Sequence, residues 1–118
     1  ADVVIDADRA YRLQIRSKFE FGLGDVDVRT LTQWLAGDEL LATITVTNRS
    51  EDRLDMFCFV VAPDRPRQER VIAGLPPGGT VVKSFKIRDA RGMIGKPLRV
   101  GLREVKGSRV VNYAVPVR

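Results

Sequence analysis

Pairs of carboxylates are the residues of this 118-residue chain that come closest to a catalytic or metal-binding pattern. The pairs are Asp6 with Asp8, Asp25 with Asp27, and Glu51 with Asp52. Each pair lies beside a predicted turn, where Asp is favoured because its side chain bonds to the nearby backbone. Two carboxylates can serve as acid and base, and the four aspartates could ligate calcium, but no supporting motif accompanies either arrangement.

The chain contains no histidine and a single cysteine, Cys58. The lack of histidine removes the commonest general base, the commonest metal ligand and every histidine triad. Cys58 lies in the most apolar predicted strand, so we expect a buried, unreactive thiol and no internal disulfide. We therefore predict that the protein is not an enzyme and has no catalytic residues, no metal and no cofactor.

Arginine dominates the positive charge of the chain, which carries a formal net charge of +5. The basic residues alternate with acidic ones and form no long block, which is typical of a solvated surface of mixed charge. Two groups are nevertheless candidates for binding a partner or an anion. They are Arg65, Arg67 and Arg70 in a predicted loop, and Arg12, Arg16, Arg99 and Arg103 on the outward rows of two predicted strands.

The elements that would position these residues are organised around residues 40–62. Leu40 to Thr47 alternates apolar residues with mostly threonines, the pattern of a half-buried strand. Leu54 to Ala62 is apolar on both faces. Because a short polar turn separates them, we predict that these two strands form a central β-hairpin. The turn also contains Asn48-Arg49-Ser50, which fits the N-glycosylation sequon.

Three aromatic residues are candidates for an apolar contact. Phe57 and Phe59 share one face of the second strand, where either the N-terminal segment shields them or they line a contact surface. Trp34 precedes a turn, where it either plugs one end of the core or stacks on a sugar ring. The residue pattern leaves both pairs of alternatives open.

The rest of the chain repeats the same short, alternating pattern. Strands are predicted at 2–6, 11–16, 19–24, 71–73, 81–88, 98–105 and 111–117, with the third continuing or restarting at 25–28. Residues 63–70 are predicted as a loop and the Pro-Pro-Gly-Gly sequence at 76–79 as a sharp turn. Pro116 places the last strand at a sheet edge. We predict one all-β domain over residues 1–118, an antiparallel, immunoglobulin-like β-sandwich of seven to nine strands.

Three stretches carry a resemblance to a known class of domain. GDELLATITVTNRS, MFCFVVAP and LPPGGTVVKSFKI resemble bacterial immunoglobulin-like or fibronectin-III-like modules over about two thirds of the chain. Antibody-type domains differ, since the Cys–Trp–Cys framework is missing. The first thirty residues exceed the usual module, and we expect either an extra strand pair packed on the sandwich or a pairing segment from a neighbouring domain.

The resemblance implies a non-catalytic accessory module of a larger secreted or envelope protein, with a protein or a neighbouring domain as its partner. The alternative is an anion-binding module that takes acidic polysaccharide or, with less support, nucleic acid through the arginines. A homodimer through the Phe57/Phe59 face or the terminal edge strand is a third option. We expect no membrane span, and a cytoplasmic location stays open beside the extracellular one.

Overall fold

The computed structural model of the protein describes residues 26–107 and 110–118. The strands are β1 (Val26–Trp34), β2 (Leu40–Asn48), β3 (Leu54–Val61), β4 (Gln68–Leu75), β5 (Thr80–Ile87), β6 (Pro97–Glu104) and β7 (Val110–Pro116). Two 3-10 helices of three residues each, Ala36–Asp38 and Arg91–Met93, join them, and neither approaches the length needed to cross a membrane. The predicted all-β class is confirmed. The predictions made for residues 1–25, which include Arg12 and Arg16, lie outside the described residues.

Antiparallel pairing assembles the seven strands into two sheets. One sheet has three strands in the order β1-β2-β5, and the other has four in the order β4-β3-β6-β7. One face of each sheet turns inward, and a single buried cluster joins residues of both sheets, among them Ile44 and Phe85 from one and Met56 and Leu102 from the other. Two sheets with one shared core form a sandwich-like arrangement.

The two sheets are also linked by a hydrogen bond within the interior. Thr30 Oγ1 on β1 bonds to the hydroxyl of Tyr113 on β7, and both residues are buried. β1 and β7 therefore lie on the same side of the sandwich, and β4 and β5 lie on the opposite side. A hydroxyl pair of this kind satisfies two polar groups that would otherwise be costly to bury.

The predicted central hairpin is wrong, because β2 and β3 belong to different sheets. β2 pairs with β1 and β5, whereas β3 pairs with β4 and β6. Residues 49–53 cross from one sheet to the other. Alternation of apolar residues determines which side chains face inward, but it does not determine which strands exchange hydrogen bonds.

The fourth strand is longer than predicted. It begins at Gln68, so residues 68–70 belong to β4 and not to the loop. Among the described strands β4 lies at the edge of its sheet, and charged side chains on an edge discourage pairing with other chains, which accounts for a polar sequence in strand conformation.

The predicted turn at residues 76–79 is confirmed. Gly79 N–H donates to the carbonyl of Pro76 at 2.9 Å, and Gly78 has a φ of 77°, which glycine adopts without steric cost. Among the described strands, β7 is the last of its sheet, which agrees with the edge position predicted from Pro116.

Candidate interaction surface

Two aromatic rings lie at the centre of the outward face of the four-stranded sheet. β3 is a central strand, and its alternation sends Phe57 and Phe59 to the side opposite the core. The register places Arg103 of β6 beside Phe57 and Glu69 of β4 beside Phe59. We name this surface the Arg–Phe face; it is formed by Phe57, Phe59, Val61, Arg67, Glu69, Val71, Arg99, Arg103 and Val110.

Guanidinium groups cover both rings of the Arg–Phe face. The guanidinium carbon of Arg67 lies 4.3 Å from the centroid of the Phe59 ring, and that of Arg103 lies 4.4 Å from the centroid of Phe57. These are cation–π distances, at which the negative face of a ring attracts the positive group. Phe59 is only 2% exposed.

Glu69 connects the two arginines. Its Oε2 atom is 3.5 Å from Arg67 Nη1 and 3.4 Å from Arg103 Nη2, so one carboxylate oxygen receives both guanidinium groups. All three side chains remain partly exposed. The contacts are long for charge-assisted hydrogen bonds and contribute little in water, so this network orients the arginines more than it stabilises the fold.

Two valines extend the apolar part of the surface toward both sheet edges. Val71 on β4 pairs with Phe57 and is 53% exposed, and Val110 on β7 pairs with Arg103 and is 54% exposed. A row of Val71, Phe57, Arg103 and Val110 therefore crosses the whole sheet. Apolar side chains, aromatic rings and arginine are the residues that protein interfaces favour.

Comparison of the chain with protein-family models, with curated proteins and with solved structures finds no match. The chemistry of the Arg–Phe face itself is therefore the basis for inferring what it binds.

The arginines predicted to bind a partner separate into different places. Arg67, Arg99 and Arg103 share the Arg–Phe face, where Arg99 Nη1 also donates to Asn112 Oδ1 at 2.7 Å. Arg65 instead donates through Nη1 and Nη2 to the backbone carbonyls of Arg88 and Asp89. It therefore links the loop between β3 and β4 to the loop that follows β5.

Arg70 lies at the open side of the sandwich, away from the Arg–Phe face. It pairs with Cys58 across β3 and β4, and its guanidinium carbon is 5.0 Å from the centroid of the Phe85 ring on β5. The side chain thus covers the core where β4 and β5 approach each other. The sequence predicts a loop over all three residues, which is why Arg70 is grouped there with Arg65 and Arg67.

Trp34 packs at the margin of the core with its ring partly buried. Its indole N–H donates to the carbonyl of Arg118 at 2.7 Å, and the guanidinium carbon of Arg91 lies 4.2 Å from the ring centroid. These contacts agree with the core-plug interpretation. A sugar ring would compete with Arg91 for the ring face.

Cys58 lies on the inward side of β3, between the two phenylalanines in sequence, and is completely buried. Burial raises the pKa of its thiol to about 12, while Lys83 and Arg70 act in the opposite direction. A thiol with such a pKa stays protonated at neutral pH and is a poor nucleophile.

Asn48 is the centre of a buried hydrogen-bond network. Its Nδ2 donates to the carbonyls of Asp52 and Leu75, at 2.8 and 2.9 Å, and its Oδ1 accepts from the backbone and hydroxyl of Ser50. The residue has no exposed surface. Glycosylation of the sequon would require the Nδ2 atom that the folded protein uses internally.

The members of the predicted carboxylate pairs have different surroundings. Asp27 is buried and forms an ion pair with Arg49, while Glu51 and Asp52 are exposed in the link between the sheets. Asp6, Asp8 and Asp25 lie outside the described residues.

Four residues of the Arg–Phe face are not among the predicted site residues: Val61, Glu69, Val71 and Val110. The alternation of Arg67, Glu69 and Val71 contained the necessary signal, but the two prolines before it favoured a loop. Val110 becomes part of the surface only through its register with Arg103.

Proposed function

We propose that this chain is a non-catalytic interaction module of the immunoglobulin-like or fibronectin-III-like class, an accessory part of a larger secreted or envelope protein. The strand order supports the class, because two antiparallel sheets of three and four strands share one core. In antibody constant domains the fourth strand joins the fifth; here β4 joins β3, which favours the fibronectin-III-like alternative.

The observation that carries the function is the composition of the Arg–Phe face. Two arginine-covered rings with exposed valines on either side make a surface that is apolar and cationic at once. Such a surface suits a protein segment that presents apolar side chains beside carboxylates, since aromatic and arginine residues supply most of the energy at interfaces.

Selection of peptides from a random display library on the immobilised protein tests this function. We expect enriched peptides to combine an apolar and an acidic residue. Their binding should move the amide resonances of Phe57, Val71 and Arg103 in ¹H–¹⁵N correlation spectra. Val71→Glu should weaken binding at least about tenfold, because it adds a charge of the wrong sign to the row.

Thr45→Glu on the outward face of the other sheet is the matched control and should leave peptide binding unchanged. Enriched peptides that bind both variants equally would place the interaction elsewhere on the molecule. A hydrolysis rate with generic ester, peptide or glycoside substrates that depends on one carboxylate would overturn the non-catalytic assignment.

A second function, binding of an acidic polysaccharide or of nucleic acid, is favoured by the three arginines on one face. Titrations with heparin and with DNA at increasing salt test it, since contacts to several negative groups give a steep salt dependence. Arg99→Ala and Arg103→Ala should each lower such affinity. Arg29→Ala, an exposed arginine of the other sheet, should leave it unchanged.

The same surface could instead join two copies of the chain. Light scattering during size-exclusion chromatography distinguishes this outcome, because a homodimer would have twice the mass of the 13.2 kDa chain and would dissociate on Val71→Glu.

A further inference from the structure

A shallow pocket of about 490 Å³ lies where β3 ends and β6 begins. Its apolar lining residues are Val61, Ala62, Pro63 and Pro97. We name it the loop pocket. Its volume is within the range of pockets that hold small molecules, and a mainly apolar lining with a few polar groups is typical of such sites.

Hydrogen bonds hold both walls of the loop pocket in place. On one side, Arg65 N–H donates to the Ala62 carbonyl at 3.2 Å, and the Arg65 guanidinium bonds to the carbonyls of Arg88 and Asp89. On the other side, Lys96 N–H donates to Met93 and its carbonyl accepts from Val117. A ligand would therefore meet a preformed site and would lose little affinity to ordering of the loops.

The rim of the loop pocket is positively charged. Arg65, Lys96 and Arg99 contribute cations, and Asp64 contributes the one carboxylate among the residues that line it. Arg99 bonds to a neutral amide, and Lys96 is exposed and makes no ion pair within residues 26–107 and 110–118. An anion could bind Lys96 without displacing an internal carboxylate.

We propose that the loop pocket binds a small amphipathic anion, a flat apolar body that carries one carboxylate or sulfonate group. The apolar body lies on the prolines and Val61, and the charged group lies at Lys96 and Arg99. This binding site goes beyond the proposed function, because it lies at the end of the sandwich; it shares Val61 and Arg99 with the Arg–Phe face but does not include Phe57 or Val71.

Titration of the ¹⁵N-labelled protein with 2-naphthoate tests the proposal. We expect saturable shifts of the amides of Ala62, Arg65 and Lys96, with the amides of Phe57 and Val71 unmoved. The uncharged analogue 2-naphthamide should bind about three to ten times more weakly, because it loses the attraction of the cationic rim.

Charge-reversal variants separate a local site from general electrostatic attraction. Lys96→Glu should weaken 2-naphthoate binding about tenfold, whereas Lys106→Glu, the same change beyond the opposite end of β6, should leave it within about twofold. Both lysines are exposed, so both variants should fold.

Three outcomes would overturn the loop-pocket site: no saturable shifts at millimolar 2-naphthoate, equal binding of 2-naphthamide, or equal losses for the two variants. Shifts confined to Phe57 and Val71 would also overturn it, yet would leave the Arg–Phe face intact as a binding surface. Conversely, failure of the peptide selection leaves the naphthoate result unaffected.

Discussion

The strands β2 and β3 are both flanked by a strand on each side, but their outward faces differ in chemistry. The outward residues of β2 include Thr43, Thr45 and Thr47, which are partly exposed. Those of β3 include Phe57 and Phe59, which are covered by the guanidinium groups of Arg103 on β6 and of Arg67, the residue before β4. A hydroxyl row can stay in contact with water, whereas two phenyl rings gain from being covered.

This difference shows two ways in which the outward face of a sheet becomes compatible with water. The three-stranded sheet presents threonines on β2 with the exposed side chains of Leu31 and Val82 beside them, so its outward face is an ordinary half-exposed surface. The four-stranded sheet is covered by long side chains from β6 and from the residue just before β4, whose stems are apolar and whose charged ends reach water. Such a surface is stable in water and retains the residue types that interfaces use.

Truncation of Phe59 should produce the largest effect. Phe59→Ala removes a side chain that is 2% exposed and should lower the free energy of unfolding by about 3 kcal/mol, as core phenylalanines do. Thr45→Ala at an outward position of β2 should cost less than about 1 kcal/mol. Chemical denaturation of both variants measures the difference, and equal costs would remove the distinction between the two faces.

At β2, the stability of the protein should depend more on Asn48 at the end of the strand than on the threonines of the outward face. Asn48→Ala leaves the carbonyls of Asp52 and Leu75 without their donor in a buried site and should cost about 2 kcal/mol or more. Asn48→Asp should cost at least as much, because a carboxylate cannot donate to these carbonyls. Thermal or urea unfolding checks both values. A cost below that of Thr45→Ala would contradict this view of β2.

Cys58, on the inward side of β3, should make the stability of the protein depend on pH. Burial raises the pKa of the thiol from 9.0 to about 12, so between these values the native state keeps a proton that the unfolded chain loses. The contribution of this group to the free energy of unfolding is fully present below pH 9 and declines as the pH rises toward 12. At pH 10.5 the loss is about 2 kcal/mol. Urea denaturation from pH 8 to 10.5 measures it.

Cys58→Val is the matched control for this prediction. The variant keeps an apolar side chain of similar size but has no proton to lose, so its stability should decline less steeply over the same pH range. Parallel declines of the two proteins would show that burial does not hold the thiol in its protonated form.

Removal of the guanidinium group above one phenylalanine ring should produce the smallest loss of stability. Arg103→Ala uncovers Phe57 and breaks the contact with Glu69, and we expect a loss of about 1 kcal/mol. Arg103→Lys should recover part of the loss, since an ammonium group can also lie over the ring. Arg29→Ala on the other sheet should be neutral in the same assay, and a similar cost there would indicate a general charge effect.

Sequence reasoning succeeded where a pattern is local. The alternation from Leu40 onward, the turn at Gly78 and Gly79, and the edge position of Pro116 follow from side-chain direction and backbone restriction within a few residues. It failed where the partner is distant: β2 was paired with β3, and Gln68 to Arg70 were placed in a loop. Chain neighbours are only the commonest partners, and an edge strand carries polar residues that resemble a loop.

The order of residues along the chain is enough to predict that the protein is all-β, that most strands bury one face, and that its only thiol points into the core. These properties depend on side chains that alternate in direction at every residue of a strand. Contacts between distant residues are needed to show that Arg67 and Arg103 cover Phe59 and Phe57, that Arg65 and Arg70 lie in other places, and that Lys96 lines a pocket. Those relations depend on strand register and on which loops meet, and both arise from packing between residues that are far apart in the chain.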